Sequence, residues 1–277
     1  MKIAQYLFIV FLALSFLSCK NGKEEKKDAQ ITETAPSNVQ LDHVNIWVKN
    51  ATKAKERLVE LGFTGIPDSL SNVHKGQGTT GRYFYFLNGY LELIFVCDQA
   101  EFEANNEKNT ALDFAERVNF EANGASPFSI ALNLKEYAAE KIPFKTVRYH
   151  QEWMDENSSI YAAQSSKKHL KEPSIFVVFP EIQYDVFESI SDLNKIPEEY
   201  ALWREFYKHP NGAKKITAVK ITSPEVDVTT ETIKAVNEIE GISVSSGAAH
   251  LMELYFDNNV QGKSYDLRPD LPLIIHL

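Results

Sequence analysis

The chain has only two cysteines, Cys19 and Cys97, and three methionines in 277 residues. No Cys/His spacing fits a zinc site, and two cysteines make no disulfide framework. Its longest apolar stretch, residues 3–16, falls short of the roughly 20 residues needed to span a bilayer. Positive charge is also scarce. Against 38 acidic residues there are 29 Lys and Arg, a net charge of −9, where a phosphate backbone needs a basic face. No nucleic-acid partner is expected.

What is present begins with export. Met1-Lys2 is a basic start, residues 3–16 are almost unbroken apolar sequence, and Ser18 precedes Cys19. This is the pattern of a secretory signal rather than a membrane span. With Cys at the cut site, residues 1–18 resemble a lipoprotein-type signal peptide, which implies lipidation of Cys19. Phe16 stands where such signals usually carry Leu. Residues 19–40 are rich in Lys, Glu, Asp, Ser and Thr without apolar periodicity, and read as a disordered tether. Two or three acyl chains, at about 0.8 kcal/mol per buried methylene, hold a protein to a membrane durably. The expected location is the bacterial envelope, lipid-anchored. Once Cys19 is acylated, Cys97 is the remaining thiol. It ends an apolar run and reads as a small buried hydrophobe.

From residue 41 onward a pattern repeats. Residues 41–48 alternate as a strand, and 51–61 form a helix with Ala54, Leu58 and Leu61 on one face and Gly62 at its end. Short strand 63–66, longer strand 82–87, a turn at Asn88-Gly89 and strand 90–96 complete a β-α-β-β-β order. The order returns over 214–277, where residues 250–256 echo 90–96, and more faintly over 127–190, with strands 128–134, 174–179 and 183–188 and a helix at 137–142. The last apolar segment, 271–277, reads as an edge strand because of Pro269 and Pro272. The predicted fold is α+β, with modules at about 41–98, 127–190 and 214–277 around one cup.

Leu41-Asp42-His43-Val44, Leu61-Gly62-Phe63, the run from His74 to Arg82 and Gly89-Tyr90-Leu91-Glu92-Leu93-Ile94 together resemble the glyoxalase-like domain family of the vicinal oxygen chelate superfamily. His209-Pro210-Asn211-Gly212-Ala213 is similar to a segment after the second module of such proteins. The resemblance implies βαβββ modules forming a cupped mixed sheet whose concave face holds a small-molecule site. It also implies a divalent metal held by His and Glu, or Gln and Glu, from the first and last strands of each module; an imidazole with carboxylates suits Zn, Fe, Mn or Ni.

The residues themselves agree in part. Strand alternation puts His43, Asn45 and Trp47 on one face, and Glu92 with Tyr90 and Ile94 on one face. An ionisable group inside an apolar strand is costly unless it is paired or bound to metal. His43 and Glu92 are therefore candidate metal ligands, and equally a plain hydrogen-bonded pair. A second histidine is missing: the residue aligned with His43 in the middle copy is Phe128 or Ser129, and in the last copy Ala218. Glu188 or Glu253 remains as a third ligand.

The run Gly76-Gln77-Gly78-Thr79-Thr80-Gly81 fits a dinucleotide motif in letters only, because no strand precedes it and no helix follows. No nucleotide cofactor is expected. As a loop it lets backbone approach a ligand, with His74, Gly76, Gly78 and Thr79 at the mouth beside Asn45, Trp47 and, on the resemblance, His209. Arg82 is a candidate clamp for a carboxylate or a partner for Glu92, and Glu92 and Arg82 are the candidate catalytic pair. Trp153, Trp203 and the aromatic cluster 200–207 are expected between modules. Two functions follow: a lyase, isomerase or dioxygenase of the glyoxalase type, or a non-catalytic small-molecule binding lipoprotein that has lost the metal.

Overall fold

The computed structural model describes residues 38–277. Residues 1–37 lie outside the described residues, and with them the expected signal peptide, the expected lipidation site Cys19 and nearly all of the expected tether.

The first unit runs β1 (Val39–Trp47), α1 (Ala51–Glu60), β2 (Val73–His74), β3 (Thr79–Phe86) and β4 (Gly89–Val96). Asn50 starts α1 by accepting the Lys53 N–H with its side chain, and Ala51, Ala54 and Leu58 bury its inner stripe. Three helices follow, α2 (Gln99–Lys108), α3 (Phe114–Val118) and α4 (Phe120–Asn123). The second unit is β5 (Phe128–Leu134), β6 (Thr146–Tyr149), β7 (Ile160–Ala163) and β8 (Ser174–Val177). These eight strands make one mixed sheet in the order β2-β3-β4-β1-β5-β8-β7-β6. It curls into the cup of an α+β fold. β1 runs parallel to β4 and antiparallel to β5, so the two units meet back to back along the β1–β5 seam.

The third unit departs from the expected single cup. β9 (Ile216–Ser223), α5 (Glu231–Asn237), β10 (Ile242–Ser246), β11 (Leu251–Phe256), β12 (Ser264–Asp266) and β13 (Leu273–His276) form a separate sheet, ordered β10-β9-β11-β13-β12. It covers the outer face of the first sheet. Phe63, Phe84 and Phe86 share a core with Phe256, Val219 and Leu254, with Phe86 and Phe256 ring centroids 4.6 Å apart. Asn88 ties the sheets together, donating to the Ile216 carbonyl at 2.7 Å and accepting the Ile216 N–H at 2.8 Å.

Local corrections have local causes. Residues 63–66 make one ladder bond, Ile66 N–H to the Tyr83 carbonyl at 3.0 Å, while the Thr64 N–H goes to His209 Nδ1 and the Ile66 carbonyl accepts from Lys55 Nζ. The expected helix at 137–142 is only the 3₁₀ turn Ala139–Lys141. Residues 183–188 are no strand, because their amides are used elsewhere: Tyr184 N–H binds the Asp42 carboxylate and Phe187 N–H the Leu87 carbonyl. β13 is interior, since β12 pairs along its far side and Pro272 falls just before its first residue. Cys97 is exposed, one residue past the end of β4.

Candidate functional site

The concave face of the eight-stranded sheet encloses a cavity of about 1340 Å³ lined by His43, Asn45, Trp47, Tyr90 and Glu92 among others. Parallel pairing sets Asn45 beside Glu92 and His43 beside Tyr90. All four side chains therefore share the inner face, while Val44, Ile46, Leu91 and Leu93 fill the core behind. The His43 ring stacks on Tyr90 with centroids 4.0 Å apart.

Asp42 should point away from His43 by strand alternation, yet the two touch. A bulge at Asp42 breaks the β1–β5 register between Leu41 and His43, and such an extra residue re-aims neighbouring side chains. Asp42 Oδ1 lies 2.6 Å from His43 Nδ1, and Oδ2 accepts from Asn133 Nδ2 at 3.1 Å and Tyr184 N–H at 2.9 Å. Burial alone would raise the Asp42 pKa. The His43 hydrogen bond and charge, with the Tyr184 and Asn133 bonds, outweigh it and hold the group below the usual aspartate value. An ionised Asp42 places a proton on His43 Nδ1, so that in the neutral ring Nε2 is the acceptor.

Glu92 is the other unusual group. It is 3 % exposed, and burial pushes its pKa up to about 8 against the opposing effect of the Tyr83 hydroxyl. At neutral pH it is mostly a carboxylic acid, able to donate. His74 Nε2 stands 3.4 Å from Glu92 Oε1 and 3.0 Å from the Tyr83 hydroxyl, and Thr79 Oγ1 fixes its Nδ1 at 2.8 Å. Burial, then the repulsion of His43, brings the His74 pKa down to about 4. Asn45 Oδ1 is buried without a hydrogen-bond partner, which costs free energy in the empty cup. Space for Glu92 comes from Gly81, where a Cβ would stand 2.4 Å from Oε1.

Of the glycine run, Gln77 lines the cavity, while its glycines and Thr79 do not. Gly76 lies against Gln151 and donates its N–H to Glu101 at 2.7 Å, and Gly78 (φ +73°) packs on the start of α2. Thr79 is buried and acts through His74. Arg82 is on the wrong face for Glu92. In the β3–β4 register Tyr83 sits opposite Glu92 and Arg82 opposite Leu93; Arg82 instead binds Asp68 at 3.0 Å and covers the Phe95 ring. His209 is outside the cup, with Nδ1 accepting from Thr64 N–H at 2.9 Å, Nε2 donating to the Tyr85 carbonyl at 2.8 Å, and its ring against Phe86. Glu188 is an exposed partner of Lys215, and Glu253 belongs to the second sheet, 2.9 Å from His276 Nε2.

These placements decide how far the residues fit a metal. On the β1–β5 seam His43 pairs with Ala131 and Asn45 with Ser129, so the approximate two-fold carries His43 onto Ser129 and Asn45 onto Ala131. Asn45 pairs with Glu92 as Ala131 pairs with Phe176, so Glu92 is carried onto Phe176. The second unit thus supplies a hydroxyl and a phenyl ring where a two-module site needs an imidazole and a carboxylate. Among the described residues no three His, Cys, Asp or Glu side chains converge on one point. His43 and Glu92 alone do not complete a divalent site of the expected kind.

Several cup residues escaped the sequence reading. Tyr83 and Tyr85 line it from β3, and Phe176 from β8. Tyr184, Trp203 and Tyr207 come from the long connection between β8 and β9, with the Tyr85 and Trp203 rings stacked at 6.0 Å. Trp153 and Trp203 therefore belong to the cup instead of a module interface. Alternation within β3 points to Tyr83 and Tyr85 once Glu92 is placed; the connection carries no such signal.

The fold and cavity define a protein whose two related units share one cupped sheet with a large cavity on its concave face. Residues 41–237 match the family model described as glyoxalase-like domain, and the chain belongs to that family. No curated protein matches it. Among solved structures it is similar to a hypothetical protein from Staphylococcus aureus, at 11% identity and TM-score 0.49 over 86% of this chain and 97% of that one. It is also similar to methylmalonyl-CoA epimerase from Mycobacterium tuberculosis, at 14% identity and TM-score 0.34 over 55% of this chain and 96% of that one.

Proposed function

We propose that the cup binds a small oxygenated molecule without a resident metal. Glu92 donates its carboxyl proton to one ligand oxygen, and His43 Nε2, oriented by Asp42, accepts from a ligand hydroxyl. The observation that carries this reading is that His43, Asn45 and Glu92, all buried, line one large cavity. Native mass spectrometry of the purified protein should find a small molecule that persists in chelator and disappears in Glu92→Gln and His43→Ala. Retention in both variants, or loss with chelator, would defeat the reading.

A catalytic reading is favoured by one further observation. A carboxylate-oriented imidazole and a proton-bearing carboxyl line the same cavity, which is an acid–base pair. A hydroxy ketone incubated in D₂O should then gain deuterium at the carbon beside its carbonyl with wild type and not with His43→Ala. No exchange with either protein leaves binding alone.

The same reading places the cup at the bacterial envelope, tethered through acylated Cys19. The support is the basic start, the apolar run and the Ser18-Cys19 junction. Cys19→Ala should lose acyl label and membrane fractionation; normal labelling of that variant would sink the anchor.

A further inference from the structure

The cavity changes character from floor to mouth. At its floor His43, Asn45 and Glu92 are each about 5% exposed or less. At its mouth stand Val73 (61% exposed), Trp153 (45%), Ile182 (36%), Val186 (55%) and Tyr200 (56%). Of the nine exposed large apolar side chains among the described residues, these five border this one opening. Single exposed apolar residues are ordinary, whereas a cluster around a pocket marks something that binds there. The five come from β2, from the β6–β7 loop and from the long β8–β9 connection, so three separate parts of the chain converge on the rim.

Charge narrows the occupant. Arg117, the buried cation of the lining, is already spent on Asp113 and on the carbonyls of Ser126, Ser166, Leu170 and Glu172. The other lining cations, Lys75 and Lys195, are exposed, and Lys195 pairs with Asp192. Glu181 and Asp185 also face the cavity. A carboxylate or phosphate head would find no free cation at the floor. The volume, about 1340 Å³, exceeds the roughly 300–1,000 Å³ usual for compact ligands.

The geometry points to a neutral amphipathic ligand, with an oxygenated head at His43, Asn45 and Glu92 and an apolar tail running out between Trp153, Val186 and Tyr200. This rests on the reading of the cup as a small-molecule site and adds the ligand's class. Each methylene buried along the wall contributes about 0.8 kcal/mol, which is a three- to fourfold gain in affinity.

The test is calorimetric titration of the full chain with 1-hydroxy-2-alkanones of increasing length. Affinity should rise about three- to fourfold per added methylene until the tail clears the rim, and alkanoates of equal length should bind at least about tenfold more weakly. Trp153→Ala and Val186→Asp should each reduce the slope; Val186→Ser serves if the charged variant misfolds. Binding that is lost in Glu92→Gln yet flat across chain length overturns the tail and leaves the cup reading intact. Tighter binding of the alkanoates overturns the neutral head. No binding at any length overturns this inference, and an empty cup in native mass spectrometry then removes the broader reading too. A dimer that the rim variants dissolve would assign the mouth to a second copy of the chain and also overturn it.

Discussion

Across the seam between β1 and β5 the cup holds two versions of one plan, and they are furnished differently. The first unit presents His43, Tyr90, Glu92 and Tyr83; the positions related to them in the second are Ser129, Ser174, Phe176 and Ala162. One half carries the titratable groups and the other offers smaller uncharged ones, two hydroxyls, a methyl and a phenyl ring. The pseudo-symmetry of the backbone persists while the side chains have parted. At these positions matching imidazole and carboxylate donors from both halves are missing, and the two sides of the cup differ in chemistry.

The largest expected effect comes from removing the group that organises the polar half. Asp42→Ala leaves His43, Asn133 and the Tyr184 amide without their shared acceptor. Breaking such a buried network costs on the order of 3–5 kcal/mol. Urea denaturation should show it, and Ser129→Ala in the second unit should cost far less. A cost equal to that of Ser129→Ala would erase the asymmetry.

Next is the pH dependence of stability. The folded Glu92 pKa of about 8 lies above its ordinary value of 4.5. Between these values the folded protein holds a proton that the unfolded chain has released. This contribution is therefore fully present below the unfolded pKa and is lost as pH rises toward 8, by at most about 1.4 kcal/mol per pH unit. Melting curves from pH 5 to pH 9 should fall more steeply for wild type than for Glu92→Gln. Parallel curves would return Glu92 to an ordinary carboxylate.

Rebuilding the symmetry is a gain-of-function test. Ser129→His with Phe176→Glu restores an imidazole and a carboxylate at the two-fold positions. The double variant should be stabilised by Ni²⁺ or Zn²⁺, by about 2.7 kcal/mol at a hundredfold excess over Kd, with no comparable effect on wild type. A metal response in wild type of the same size would show that the first half suffices. The smallest effect is expected outside the cup: Glu188→Ala removes a solvent-exposed pair with Lys215 and should change stability by less than about 1 kcal/mol, with ligand affinity unchanged.

Much of the first unit was legible in the chain, because a period of two over residues 41–48 and 90–96 assigns His43, Asn45 and Glu92 to faces with no knowledge of partners. The weaknesses lie where faces depend on a neighbour. Arg82 shares its face with Phe84 and Phe86 as expected, but only the β3–β4 register shows that this face is turned from Glu92. Glu188 and Glu253 occupy strand-like stretches; one stretch gave its amides to Asp42 and Leu87, and the other joined a second sheet.

Local pattern alone determined that the first and last parts of this chain would form strand–helix–strand units and that the first would carry an imidazole and a carboxylate on one face, since alternation and capping are read within a few residues. Tertiary structure decided that the third unit would close the back of the cup instead of extending it. It also brought Asp42 onto His43 through a bulge, and Tyr184, Trp203 and Tyr207 into the cavity from a connection without periodicity. Those outcomes depend on which backbone amides and apolar faces find partners far along the chain, and no short window of sequence contains that information.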